Sequence, residues 1–383
     1  MPQIQKKIVQ SSVELLLEYA AGDRDFESAK LATADLQSAQ LAKVNLSKAI
    51  LFKAILSKAI LGGANLSKAY LVSANLQFAK LNRANLHQAN LYQADLTGAS
   101  LSTANLSKVS LECAILSRCD FGLANLQRAN LRQVTAISAD FMQAELMDAV
   151  LSQSILTNVS LEKANLTGAN LVASDLSDAN LYKAILVKAN LYKVKLDRAN
   201  LSWANLIEAN LEGASLVNAN LEHADLSHVN LLGADLTAAN LSKANLTKAN
   251  LLRANLSGAN LLATNLHEAN LENVNLSAAD LFGANLNRSH LVKAILVSAD
   301  LREANLQGAD LQGANLSGAN LFGAELKGTN CSGANFAGAK LYGAKLGGTN
   351  LKGAWYDEQT EFHSKFSPSK SGMELLQKRD RSM

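Results

Sequence analysis

Residues 241–260 read LSKANLTKANLLRANLSGAN, four consecutive copies of one five-residue unit. In each copy a Leu (241, 246, 251, 256) is followed, after two variable residues, by Ala and then Asn. The same phase runs outward from Phe26 to Leu351 without an insertion, a total of 66 pentads. Leu fills 60 of them, the exceptions being Phe26, Phe121, Ala136, Phe141, Cys331 and Phe336. Three positions beyond each of these, from Ala29 to Ala354, the side chain is small: Ala at 52 of 66, otherwise Val, Ser, Thr or Cys. On a helix this spacing advances about 500° per pentad, so the Leu positions would wander around the surface. Asn at one position in five also opposes helix. Strict strand alternation fails as well, because it breaks within every pentad. A chain that points two of five side chains inward and then turns a corner satisfies the pattern. Ala inside is a size requirement, since a narrow tube has no room for two large side chains per side.

The departures from consensus set the size of one coil. Phe121 and Phe141 are four pentads apart, as are Ser154 and Ser174, and Thr329 and Thr349. Ile55, Ile115, Ile155 and Ile295 replace Asn at separations that are multiples of 20. Like residues stacked on like in neighbouring coils imply four pentads per coil. The expected fold is an all-β solenoid of about 16 coils.

Composition agrees and excludes several classes. Apolar residues make up 48% of the 383 residues but aromatics only 5%, the mark of a Leu/Ala repeat rather than an ordinary core. A net charge of +3 opposes both a polyanion mimic and a strongly basic nucleic-acid binder. Three Cys are too few, and odd, for a disulfide scaffold. No apolar run reaches the length of a membrane span, and the N-terminus lacks the pattern of a secretory signal, so a cytoplasmic protein is expected.

The A-[DN]-L-x-x tandem over residues 25–355 resembles the pentapeptide-repeat family. The resemblance implies a right-handed quadrilateral parallel β-helix. Residues 14–26, ELLLEYAAGDRDF, resemble the helical lead-in of cyanobacterial members, and residues 355–366, WYDEQTEFHSKF, resemble their closing segment, with His363 where a proline often stands. The expected organisation is an N-terminal capping helix within residues 1–24, the β-helix over 25–354, and a C-terminal cap and flexible tail over 355–383. Both ends need covers, because an open coil exposes strand edges and Leu to water. The first is expected as an amphipathic helix over residues 3–21, with Ile4, Ile8, Val9, Val13, Leu16, Leu17 and Tyr19 as its apolar set and Gly22 as its stop. Trp355, Tyr356, Phe362 and Phe366 are expected over the last coil, residues 365–370 as a link and 372–381 as a short frayed helix. Neither cap reads as having a large spare apolar face, which predicts a monomer or weak dimer.

Chemistry is sparse. The consensus Asn reads as scaffold whose amide pairs with corner backbone groups. The six His show no metal-ligand spacing; His223 and His228 lie one pentad apart. Cys113 falls on an outward position, while Cys119 and Cys331 fall on inward ones and read as inert packing. No phosphate-binding loop, nucleophile elbow or kinase motif is present, and a convex tube offers no cleft, so neither enzyme activity nor a cofactor or metal is expected. From 308 to 353 ten consecutive pentads carry Gly in their second variable position, which reads as a smooth end with left-handed or crowded corners. Between 109 and 160 the Asn column is interrupted and Met142 and Met147 appear, leaving room for a bend or a wider coil.

The outward positions hold the functional signal. Lys43, Lys48, Lys53, Lys58 and Lys68 circle the first coils beside Ile50, Ile55 and Ile60. A second belt has Lys183, Lys188, Lys193, Lys195 and Arg198 with Tyr182, Tyr192 and Trp203; a third has Lys243, Lys248 and Arg253. Aromatic and basic side chains together anchor many protein interfaces. Tyr182, Lys183, Trp203 and Lys243, with Lys188, Lys193 and Arg198 beside them, are the candidate protein-docking strip, and the four-pentad rule predicts Lys183 over the Trp203 indole. Phe121, Phe141, Ala254 and Leu256 are the candidate core markers. Relatives that confer quinolone resistance mimic DNA with an acidic surface; here the repeats hold 28 bases and 24 acids, a net +4, which opposes that role. Binding of nucleic acid or anionic lipid through the basic belts is the third alternative.

Overall fold

The computed structural model describes residues 8–376. The chain falls into two compact units, Met1–Asn190 and Leu191–Met383. Within each, every repeat makes one parallel bridge to the equivalent residue four pentads on: Asp25 to Asn45 through Asn170 to Asn190 in the first unit, and Lys195 to Ser215 through Asn335 to Trp355 in the second. Each coil therefore consumes four pentads, and the chain is a β-solenoid. Residues 109–160 keep this register throughout, so no coil there gains a residue.

One pentad accounts for its own backbone. In the second unit the N–H of Leu256 donates to Asn275 O (2.7 Å), Gly258 to Ser277 O (2.9 Å) and Asn260 to Ala239 O (2.9 Å), all in neighbouring coils. Ala259 donates back to Leu256 O (3.1 Å) and closes the corner. The fifth N–H, that of Ser257, donates to the Asn255 side-chain oxygen (3.2 Å). Buried or half-buried backbone groups must be paired, and the Asx turn is the device that pairs this one. The Asn amides add a second layer by stacking between coils, as in Asn65 to Asn45 (2.9 Å) and Asn270 to Asn250 (3.1 Å). The scaffold role expected of the consensus Asn is what the hydrogen bonds show.

The inward Leu and Ala are almost fully buried, Ala254 and Leu256 among them, except for half-buried Ala34, Ala344 and Leu346 near the two ends. Where a hydroxyl replaces the small position it donates to a Leu carbonyl, of the neighbouring coil for Ser154 (Leu131, 2.8 Å) and Thr329 (Leu306, 2.7 Å) and of its own pentad for Ser289 (Leu286, 2.7 Å). Phe141 and Ala136 are consecutive inward positions of one coil, so a large and a small residue take the place of two Leu.

The corners correct the reading of the glycine run. The second variable residue of all 66 pentads has φ near +60°, in 49 cases with a side chain other than glycine. Left-handed backbone is thus the rule of the fold and not a property of residues 308–353; there glycine merely removes a cost of about 1 kcal/mol or more per corner.

Three expectations about the ends are also corrected. The helix, α1, spans Ser12–Ala20 rather than 3–21. Ser11 accepts from Glu14 N (3.2 Å) while Glu14 accepts from Gln10 N (2.9 Å), a capping box that starts the helix there. Val9 lies outside the helix and its carbonyl accepts from Lys30 N (2.8 Å); Ile4 lies outside the described residues. Leu15 is buried and Tyr19 donates to Ala42 O (2.9 Å), but Val13 (66%), Leu16 (38%) and Leu17 (67%) are exposed. The premise that the end segments carry no spare apolar face is therefore wrong. At the other end residues 374–375 form a strand where a helix was expected: β1 (Trp355–Tyr356) pairs in parallel with β2 (Glu374–Leu375), across a one-turn 3-10 helix at Ser369–Ser371. Residues 377–381 of that expected helix lie outside the described residues. Tyr356, Phe362 and Phe366 form an aromatic cluster there, whereas Trp355 is 46% exposed.

Candidate functional site

Lys183, Lys188, Lys193, Arg198, Trp203 and Lys243 each occupy the left-handed corner position of their pentad, with φ between 54° and 61°. That position carries its side chain away from the core, and all six are exposed.

In the first unit Tyr182 is half-buried, its N–H held by the Asn180 side chain (3.1 Å). Lys183 Nζ lies 5.1 Å from the Tyr182 ring centroid. Lys183 belongs to the first unit and Trp203 to the second, so the expected pairing of the two stays an expectation; within the first unit the ammonium lies over its own neighbour's ring. The same pairing recurs at Lys193 over Tyr192 (5.1 Å) and Lys53 over Phe52 (5.2 Å).

In the second unit Trp203 is 52% exposed and its indole stacks on the His223 ring, 4.2 Å between centroids and 16° from parallel. Backbone bonds from Trp203 N to Glu222 O (3.0 Å) and from His223 N to Ser242 O (3.1 Å) pin the two corners to successive coils. Glu222 Oε1 is 3.7 Å from His223 Nε2 and 4.0 Å from Lys243 Nζ, so a carboxylate sits between an imidazole and an ammonium. The result is a column of indole, imidazole and ammonium, one from each of three successive coils. His223 was missed in the sequence, where it was weighed only as a metal partner of His228. The signal was available: 203, 223 and 243 obey the same rule that stacks Phe121 on Phe141.

Among the described residues no group of three or more His, Cys, Asp or Glu is placed to hold a metal ion. Burial pushes the Cys119 and Cys331 thiols up to about 12, and the Cys119 thiol donates to Leu96 O (2.9 Å), as inert packing requires. Half-buried Cys113 faces Gln133 Oε1 at 3.6 Å. Among the described residues no helix is long and apolar enough to cross a membrane.

Comparison with known proteins bears on the repeat itself. The family described as pentapeptide repeats (8 copies) matches in overlapping stretches from 25–57 to 314–353, leaving only position 278 unmatched between them. No curated protein gives a match. Among solved structures, HetL of the cyanobacterium Nostoc sp. strain PCC 7120, a pentapeptide repeat protein involved in heterocyst differentiation regulation, is 27% identical. The match covers 79% of this chain and 96% of HetL, with a TM-score of 0.22. Rfr23 of the cyanobacterium Cyanothece 51142 is 38% identical over 31% of this chain and 63% of its own, with a TM-score of 0.22. QnrB1, a plasmid-mediated fluoroquinolone resistance protein, is 15% identical over 59% of this chain and 85% of its own, with a TM-score of 0.23. With two inward and three outward positions in each repeat, and a family match along nearly all of them, the chain belongs to the pentapeptide-repeat family.

Proposed function

We propose that this protein is a non-catalytic scaffold whose outward corners bind another protein. In this reading residues 25–354 form a right-handed quadrilateral β-helix of about 16 coils, α1 within residues 1–24 caps one end, and residues 355–383 close the other. The exposed Val13, Leu16 and Leu17 of α1 remove the ground on which a monomer or weak dimer was expected. The observation that carries the functional reading is the Trp203 corner. A half-exposed indole, stacked on His223 and flanked by Glu222 and Lys243, is the kind of rigid aromatic anchor with a charged rim that dominates interface energies. Lys193 and Arg198 stand on the preceding corners of the same unit; Tyr182, Lys183 and Lys188 form the corresponding group in the first unit.

The partner that fits such a surface presents an apolar pocket rimmed by carboxylates. Photo-crosslinking from a reactive side chain at position 203, compared with one at Lys293, tests the reading. The expected result is a specific adduct from 203 alone that Lys193→Glu and Arg198→Glu abolish. Equal labelling from both positions would remove the site. The DNA-mimic alternative is opposed by the net +4 of the repeats. Binding of nucleic acid or anionic lipid by the basic belts would instead show as affinity that falls steeply with salt.

A further inference from the structure

The backbone accounting that satisfies a pentad depends on the residue just before each Leu position, whose side-chain oxygen receives the N–H two residues on. In one stack of four successive coils of the first unit that acceptor is missing. Gln40, Ile60, Lys80 and Ser100 stand where Asn or Asp belongs, each bridged to the next through the four-pentad ladder. Among the described residues, the N–H groups of Ala42, Gly62, Asn82 and Ser102 consequently have no hydrogen-bond partner. The column regains its cap only at Asp120, which accepts from Gly122 N (2.9 Å). Other corners without the acceptor occur in shorter stacks, such as Ile50 and Tyr70, where the amides belong to apolar Phe52 and Val72.

One corner of this column has no side chains. Gly62 and Gly63 are adjacent glycines at one corner, Gly63 with φ +65°. A Cβ on Gly62 would meet only Asn82 O, at 3.8 Å, so the surface above its amide is open. The gap is a notch of ≈ 450 Å³ lined by Lys43, Gly62, Gly63, Asn82, Arg83, Ser102 and Thr103. Lys43 leans over it, its Cγ 3.6 Å from where a Gly63 Cβ would sit. Arg83 stands on the far rim and Lys80 one coil below Ile60. None of the three cations has an acidic partner among the described residues. The Gly63 N–H is committed to Asn82 O (2.9 Å), so Gly62 supplies the one available backbone donor at this corner, and guanidinium and ammonium groups beside it suit phosphate oxygens.

We propose that the Gly62–Gly63 notch binds a phosphate group, either as the free ion or as a monoester on a larger ligand. The Gly62 N–H donates to one phosphate oxygen, with Lys43, Lys80 and Arg83 compensating the charge. Glycine-selective 15N labelling of the full chain reports on this directly, with Gly62 assigned by its loss in Gly62→Ala. Inorganic phosphate and glycerol phosphate are titrated separately at constant ionic strength maintained with chloride. The expected result is a saturable shift of the Gly62 amide with the distant Gly233 and Gly258 signals unmoved. Saturation by inorganic phosphate alone assigns the free ion; saturation by both assigns the phosphate group in general. Lys43→Gln with Arg83→Gln should weaken binding roughly tenfold or more. Ile60→Asn restores the missing acceptor, and should abolish the shift while leaving the fold at least as stable. No saturable Gly62 shift, or unchanged binding in Ile60→Asn, would overturn the proposal.

Discussion

The buried rings of Phe121 and Phe141 lie face to face, 4.7 Å between centroids and 3° from parallel, although four whole pentads separate them in the chain. They are paired because the coil length places them in one column, and offset-parallel rings gain about 0.5–1.5 kcal/mol beyond the area they bury. Phe121→Leu and Phe141→Leu each install the consensus residue, and the double variant installs it twice. A double-mutant cycle in denaturant is expected to show coupling of that size, whereas additive single changes would mean that the rings merely fill space.

Inward and outward positions should respond differently to substitution. Leu256→Ala opens a cavity and should cost about 2–5 kcal/mol, and Ala254→Leu overfills the tube at about 1–3 kcal/mol. Lys243→Ala, on an exposed corner, should stay within about 0.5 kcal/mol. Chemical denaturation checks all three. A Lys243 effect equal to that at Leu256 would invert the assignment of the two faces.

Gly233 isolates the corner itself, since a Cβ there meets nothing within 4 Å and φ is +62°. Gly233→Ala should therefore cost about 1 kcal/mol through backbone conformation alone, and Gly233→Val more. A neutral Gly233→Ala in thermal and urea melts would show that the neighbouring coils set the left-handed turn at no expense.

Much of this fold is legible in the sequence because one rule, repeated, leaves few alternatives. The Leu register, the small inward Ala and the like-on-like spacing of Phe121 and Phe141 define both the inward set and the four-pentad coil. The universal left-handed corner was not read, because glycine was taken as its marker. A subtler signal was present: Val and Ile, the residues least tolerant of positive φ, never occupy that position. The start of α1 was misplaced because apolar spacing before Ser11 outweighed the Ser11–Glu14 capping box. β2 was illegible since Trp355 pairs with Glu374, one position short of the repeat's register. The Trp203–His223 stack was readable and was passed over by treating histidine as a ligand first.

The thiols offer a pH test. Burial pushes Cys119 and Cys331 up to about 12, while an unfolded thiol titrates near 9.0. The neutral form is favoured in the folded protein, so this contribution is intact below pH 9 and declines as pH rises toward 12. Each pH unit in that window removes up to about 1.4 kcal/mol per thiol. Cys119→Ala with Cys331→Ala should flatten the alkaline loss of stability. Under native conditions a disulfide reagent should label Cys113 quickly and the other two only on unfolding.

Asp357 is buried, and its Oδ1 accepts from Gly338 N (2.8 Å) and Gln359 N (3.0 Å). Removing it in Asp357→Ala strands those donors and should cost about 1–3 kcal/mol, concentrated in the closing segment. Hydrogen exchange should accelerate at Gly338 while Gly258 keeps its protection. Uniform acceleration along the second unit would show that the end is not a separate opening unit.

The four-pentad ladder also makes residue count an angular coordinate. Within either unit, excising four pentads shortens the stack and returns every later side chain to the same azimuth. Excising a single pentad leaves each inward Leu above another inward position, yet turns all that follows by one corner. Insertions and deletions, which elsewhere cost a protein its core, act here as a dial: multiples of four pentads set length, and the remainder sets which direction each surface column faces.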